Sequence, residues 1–204
     1  TVPEFEERVS EQAERLREAI AAGDLDNDDF AIGLEMEVYA VEAPPDDRAT
    51  DADGDEDDSW RPRLARVPEA VFEAGATKEL GLHNAEINTE PTVCSGDGLA
   101  AQAAAIEADL ARARTAARRE GRELVLDAMW TVPPAAGSGA YLTAHERADG
   151  YVLAANMQPD PRYRAIDNEV LERAGGDLPF AVPGVETRFP SILFESLATS
   201  IQPH

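Results

Sequence analysis

Lysine is almost missing from this chain. Lys78 is the only one, and every other basic residue is arginine. Cysteine is as scarce: Cys94 stands alone, which excludes an intrachain disulfide and fits a reducing compartment. No apolar run approaches membrane-spanning length. The opening stretch, TVPEFEERVSE, is charged and has no signal-peptide core. These absences predict a cytoplasmic protein. Positive charge is short overall, with 18 Lys and Arg against 41 Asp and Glu and a net charge of −23. Such a chain repels phosphate backbones and anionic lipid, so neither nucleic acid nor a membrane is an expected partner. No GxxxxGK[ST] loop occurs, which excludes a P-loop route to nucleotide.

What is present is enough for one ordinary domain. The 204 residues are 43% hydrophobic, too apolar for a disordered chain. A single domain over 1–204 is expected. The acidity is spread along it. Residues 42–58 hold nine acids and one arginine, and the remainder still carries 32 acids against 17 bases. Acid excess, scarce lysine and abundant alanine form a halophilic pattern, in which carboxylates keep a protein soluble in salt that screens their repulsion. Residues 42–59 read as a solvated acidic loop. Asp51, Asp53, Gly54 and Asp55 resemble part of a calcium loop, but the glutamate at position twelve and the flanking helices are lacking.

Periodicity predicts interspersed helices and strands. Phe5, Val9, Leu16 and Ile20 mark a helix over 3–22. Residues 30–41 alternate strictly as a strand. Phe30, Ile32, Leu34, Met36 and Val38 point one way, and Gly33, Glu35, Glu37 and Tyr39 the other. Further strands are expected at 61–67, 77–89, 122–130 and 191–202. Helices are expected at 68–74, 98–120 and 160–174. Residues 131–158 carry Gly and Pro punctuation and no clear period. The class is α+β, with a mainly antiparallel sheet and helices packed on one side. The chain starts at Thr1 without methionine and stops at His204 inside an expected strand, so a truncated piece of a longer domain is expected.

The chemistry-bearing residues lie on the strands. Glu35 and Glu37 at i and i+2 sit about 7 Å apart on one face. Backed by a core, they repel unless a cation bridges them. The same pattern fits a solvated face of an acidic protein, and alone it leaves both readings open. Glu86, with Asn88 beside it, repeats the arrangement on a second strand. Gln202 and His204 add polar groups on a third. An oxygen-rich set with at most one imidazole favours Mg²⁺ or Mn²⁺ over zinc.

In order and spacing, IGLEMEVYAV, HNAEINTEP and LATSIQPH resemble the glutamate–cysteine ligase family, in its archaeal and bacterial branch with related carboxylate–amine ligases. The resemblance spans about residues 30 to 204. It implies a glutamine-synthetase-like catalytic fold, an antiparallel sheet curved into a funnel. It implies Mg²⁺ as cofactor and ATP, glutamate and cysteine as substrates. It also implies that Glu35, Glu37 and Glu86 ligate metal, that Gln202 ligates metal or positions phosphate, and that His204 contacts the amino-acid substrate. The further acidic ligands and phosphate-holding arginines of that family lie beyond its third motif and have no counterpart here.

Rival readings remain. One is the same scaffold with another amine acceptor. Another is a non-catalytic acidic domain that binds divalent ions or a partner. A glycoside hydrolase fits less well, because a Glu35–Glu37 pair on one strand straddles nothing. Cys94 reads as a small, partly buried thiol, His145 and Lys78 as surface residues, and Arg112, Arg114, Arg118 and Arg119 as partners of neighbouring acids. An open sheet edge near residue 204 would favour self-association, so a homo-oligomer stays open.

Overall fold

The alternation around Glu35 produces a nine-residue strand, Leu34–Glu42, on which the sheet is built. The computed structural model describes residues 2–26, 29–44 and 61–204. Of the acidic loop expected at 42–59, residues 45–59 lie outside them, and so do Asp51, Asp53 and Asp55.

In chain order the elements are α1 (Val2–Ala22), β1 (Ala31–Ile32), β2 (Leu34–Glu42), α2 (Glu69–Glu73), β3 (Thr77–Lys78), β4 (Asn84–Asn88) and β5 (Thr92–Val93). There follow α3 (Gly96–Arg119), β6 (Arg122–Val125), α4 (Ser138–Thr143), β7 (His145–Ala148) and β8 (Tyr151–Ala154). The chain continues with α5 (Pro161–Ala174), β9 (Leu178–Val182), β10 (Val185–Phe189), a 3₁₀ turn (Ile192–Leu197) and β11 (Ile201–Pro203). The main sheet runs β11-β2-β4-β3, with β6 on the far end of β2. Every pair of these strands is antiparallel. The architecture is therefore α+β with antiparallel sheets. Among the described residues no helix is long and apolar enough to cross a membrane.

β2 has a different neighbour on each face. Met36, Val38 and Ala40 join Ala85, Ile87 and Leu124 in one core, closed by Val71 of α2 and by Ile106, Ala113, Ala116 and Ala117 of α3. On the opposite face, Tyr39 and Val41 enter a second core with Leu64, Leu80, Trp130, Leu142, Met157 and Leu193. Helices were expected on one side only. Instead α4, through Leu142, and Tyr163 of α5 pack into the second core. The cause is that the carboxylate-bearing face of β2 turns apolar after Glu37, and Tyr39 and Val41 need cover.

One buried side chain of α3 fixes the start of β2. Gln102 is 2% exposed. Its Nε2 donates to the carbonyls of Ile32 (2.8 Å) and Glu90 (2.7 Å), and its Oε1 accepts from Thr89. Thr89 Oγ1 in turn accepts from the Leu34 backbone at 2.9 Å. The ends of the two glutamate-bearing strands are thus tied through one amide. Gly98 permits the approach of α3, because a Cβ there would lie 1.7 Å from the Val93 carbonyl oxygen.

Several expectations need correction. The strand read over 30–41 breaks at Gly33 into β1 and β2. The strand read over 77–89 is interrupted between β3 and β4. The strand read over 191–202 is a 3₁₀ turn followed by the short β11. There Ser191 accepts from Leu193 N, Asp167 accepts from Ile192 N at 2.8 Å, and Phe194 stacks on Phe189. Near residues 61–67 the pairing reduces to single bridges at Leu64. The stretch without a clear period, 131–158, folds as α4 and the β7–β8 hairpin. The helix α1 forms as expected, yet Phe5, Val9, Leu16 and Ile20 stay exposed. Cys94, expected to be partly buried, is exposed.

Replacing Gln102 by Ala removes the side-chain donor from the Ile32 and Glu90 carbonyls and the acceptor from Thr89. Gln102→Ala should lower unfolding free energy by about 3 kcal/mol, read from denaturant midpoints. A loss below about 0.5 kcal/mol would show that water replaces the amide without cost.

Candidate functional site

The register of three strands assembles the site. Glu37 stands directly opposite Glu86, and Glu35 stands between Asn88 on one side and Gln202 on the other. Directly opposed residues on antiparallel strands share a face. The three glutamates expected from the sequence therefore lie on one face of adjacent strands, opposite the Met36–Val38 core.

Their partners differ. Glu37 accepts from Ser200 Oγ at 3.0 Å and from Gln202 Nε2 at 3.1 Å, so β11 holds both of its oxygens. Glu35 is turned toward the chain end, with His204 Nε2 at 3.0 Å from its Oε2. Gly33 and His204 exchange backbone hydrogen bonds at 3.0 and 2.9 Å, which sets that pairing. Glu86 faces β3, opposite Thr77.

The cleft that this face opens into brings in residues the sequence reading passed over. It measures about 330 Å³ and is lined by Glu37, Glu79, Leu80, Asn84, Glu195, Ser196, Ala198, Ser200 and Gln202. Glu35, Glu86 and His204 are not among its lining. A wider groove of about 700 Å³ runs between α2 and α3, lined by alanines with Glu73, Arg112, Arg119 and Glu120. It is shallow and mixed in charge. The smaller cleft gathers charge of one sign, so it is the candidate site.

The electrostatics follow from that gathering. Glu79 is pushed up to about 7, first by burial, then by the Glu86 carboxylate, with lesser pushes from Glu37 and Glu195 and relief from the Leu80 N–H. Glu195 is also raised, by burial and then by Glu37. Among its lining residues the cleft has no Lys or Arg to neutralise them. Lys78, beside Glu79, turns away to pair with Glu69 at 2.9 Å over the Phe72 ring.

His83 holds the back wall. It is fully buried, edge-on to Trp130 and Tyr141. Its Nε2 lies 3.0 Å from the Ser196 carbonyl, which can only accept, so Nε2 carries the proton. Nδ1 then accepts from the Tyr141 hydroxyl at 2.9 Å. Burial lowers its pKa to about 4. This neutral imidazole stitches the start of β4, with Asn84, to the turn that carries Glu195. Asn84 is 4% exposed and its Oδ1 has no hydrogen-bond partner among the described residues.

The donor chemistry suits a hard divalent cation. Glu37, Glu79, Glu86 and Glu195 supply carboxylate oxygens, and a cation would relieve the repulsion that adds to burial in raising Glu79. As the side chains stand, no three acidic, histidine or cysteine groups among the described residues are close enough to hold an ion. Metal binding therefore requires carboxylates to rotate away from Ser200, Gln202 and His204.

The other residues weighed from the sequence fall outside this site. Arg112 pairs with Asp109, and Arg118 lies 3.7 Å from Glu123, as expected of a polar helix face. His145 is exposed in β7.

Comparison with known proteins adds one finding. The family model described as glutamate-cysteine ligase family 2 (GCS2) matches residues 31–178. The match takes in Glu35, Glu37, Glu79 and Glu86 and ends before Glu195, Gln202 and His204. No curated protein and no solved structure matches the chain.

The raised Glu79 has a consequence for stability. Folded protein holds this proton above the ordinary carboxylate range and unfolded chain does not, so its contribution to stability is full at acid pH. It is lost as pH rises through about 7. His83 acts in the opposite sense: its contribution is present above its ordinary value and is lost as pH falls toward about 4. Without divalent ions, Glu79→Gln should become increasingly more stable than wild type between pH 5 and pH 8, as roughly bounds the window of that shift. Thermal unfolding across that range reads the difference. Parallel pH profiles for the two proteins would show that Glu79 is not perturbed.

Proposed function

The chain belongs to glutamate-cysteine ligase family 2, and from that premise we propose that it is an ATP- and Mg²⁺-dependent ligase joining the γ-carboxylate of glutamate to the amine of cysteine. The observation that carries this reading is the pairing of Glu37 with Glu86 across β2 and β4, inside the family-matched span. The antiparallel sheet β11-β2-β4-β3 is read as part of a glutamine-synthetase-like catalytic sheet, and the chain as cytoplasmic.

In this reading glutamate's γ-carboxylate oxygen attacks the terminal phosphorus of ATP, and ADP leaves. The resulting acyl phosphate is attacked at its carbonyl carbon by the cysteine amine. Inorganic phosphate leaves, and the amine gives up a proton. No protein nucleophile is required, so the protein's contribution is positioning and electrostatics. Glu37, Glu79 and Glu86 would hold Mg²⁺, with Glu35 reaching in from the same strand. When bound, the ion supplies positive charge against the phosphate oxygens.

The chain's own residues do the rest. Gln202 and Ser200 hold Glu37 in one rotamer. With Glu37 engaged by an ion, Gln202 would be free to position phosphate, and His204, 3.0 Å from Glu35, would contact the amino-acid substrate. An uncompensated acidic wall would exclude ATP. With a cation held by Glu37, Glu79 and Glu86, that repulsion would be offset and nucleotide entry favoured.

Two measurements test this. Calorimetric titration with Mg²⁺ in high salt should show Glu35→Gln/Glu37→Gln losing affinity by at least about tenfold. Unchanged affinity would reduce the glutamates to a generic acidic surface. ADP release should require glutamate and cysteine together. Release that is indifferent to cysteine but stimulated by another amine would move the assignment to a related carboxylate–amine ligase, and ADP release that ignores glutamate as well would end it.

A further inference from the structure

Arg162 is held in place and is tied, through Tyr163, to the backbone beside Glu79. It opens α5, whose first turn is fixed by Pro161 and by Asp160, which caps the Arg162 N–H at 2.7 Å. Its Nη2 donates to the Tyr163 hydroxyl at 2.9 Å, and its guanidinium lies 4.7 Å over the Tyr163 ring centroid. Tyr163 is itself anchored. Its ring packs against the second core, and its hydroxyl lies 3.4 Å from the carbonyl of Lys78, the residue before Glu79. Glu79 acts electrostatically on both Arg162 and Tyr163.

Several exposed arginines here are spent on neighbouring acids. Arg8, Arg112 and Arg173 take partners three or four residues away on their own helices. Arg162 is instead laid on an aromatic ring, with its remaining N–H donors exposed. Stacking costs a guanidinium little of its capacity to donate, and it removes much of the rotamer freedom that binding would otherwise have to freeze. The cleft lining contains no cation of its own. A ligand gripped at one end through a carboxylate-held cation needs a donor for its anionic end, and Arg162 is a preset guanidinium that Tyr163 ties to the backbone beside Glu79.

We infer that Arg162, held by Tyr163, takes the oxyanion of a ligand whose other end lies in the carboxylate cleft. The inference rests on the ligase reading, which supplies two oxyanions of this kind: a phosphate of the nucleotide and a carboxylate of glutamate. The contact is a charge-assisted hydrogen bond of planar geometry, for which lysine is an incomplete substitute. Arg162 acts in binding and makes no bond to the reacting atoms.

The test is equilibrium titration of the whole chain with three probes: Mg²⁺ alone, Mg²⁺ with a non-hydrolysable ATP analogue, and Mg²⁺ with glutamate. Arg162→Gln should weaken one of the two anions by about tenfold or more, while Mg²⁺ alone changes by less than about twofold. Loss on the nucleotide arm identifies phosphate, and loss on the glutamate arm identifies carboxylate. Arg162→Lys should recover part of the affinity, and Tyr163→Phe should weaken the same anion by a smaller factor. Arg162→Gln binding both anions as tightly as wild type overturns the inference and leaves the ligase reading standing. Wild type that binds Mg²⁺ but neither anion overturns both.

Discussion

Strand β2 must satisfy two environments at once, and the site exists because it does. Along its whole length one face is buried against α2 and α3, through Met36, Val38 and Ala40. Its other face is buried only at the far end, through Tyr39 and Val41. Side chains alternate across a strand without exception. Burying Met36 and Val38 therefore forces Glu35 and Glu37 together onto the face that the second core leaves open. Slipping the register by one residue would put both carboxylates into the core, at a cost no single contact here could offset. The positions of the glutamates thus follow from hydrophobic burial behind them.

The second core then determines how enclosed the site becomes. The His83–Ser196 hydrogen bond and the Trp130 Nε1 donor on the same carbonyl hold the 3₁₀ turn against the start of β4. That clamp brings Glu195 and Asn84 to the cleft. It also delivers Ser200 and Gln202 onto Glu37. Buried, neutral and fully satisfied, His83 is structural. The unsatisfied repulsion sits one layer outward, at Glu79, in partial exposure where protons and ions can reach it.

The strictly alternating segments were legible in the sequence. Glu35, Glu37 and Glu86 could be placed on a common face from periodicity alone, because each lies in a run whose apolar neighbours fix its orientation. Glu79 and Glu195 could not. Each stands seven residues from a site residue, Glu86 and Gln202 respectively, and in an unbroken strand an odd separation puts two side chains on opposite faces. The turn after Glu79 and the 3₁₀ turn around Glu195 reset that parity. Their breaks depend on contacts made by His83, Asp167 and Phe194 with distant parts of the chain, which no local pattern encodes. The exposed stripe of α1 was misleading for the same reason, since amphipathicity shows what a helix could bury and not what it meets. Arg162 escaped notice because its significance depends on Tyr163 reaching the backbone beside Glu79.

The ligase proposal requires the carboxylates of β2 and β4 to act as one unit toward a divalent cation. A double-mutant cycle of Glu37→Gln and Glu86→Gln, read as Mg²⁺ affinity in high salt, tests it most directly. Two ligands of one ion should be strongly non-additive: each single change costs about tenfold or more, and the double change costs little beyond either. Free-energy losses that simply add, as for two independent surface charges, would contradict it.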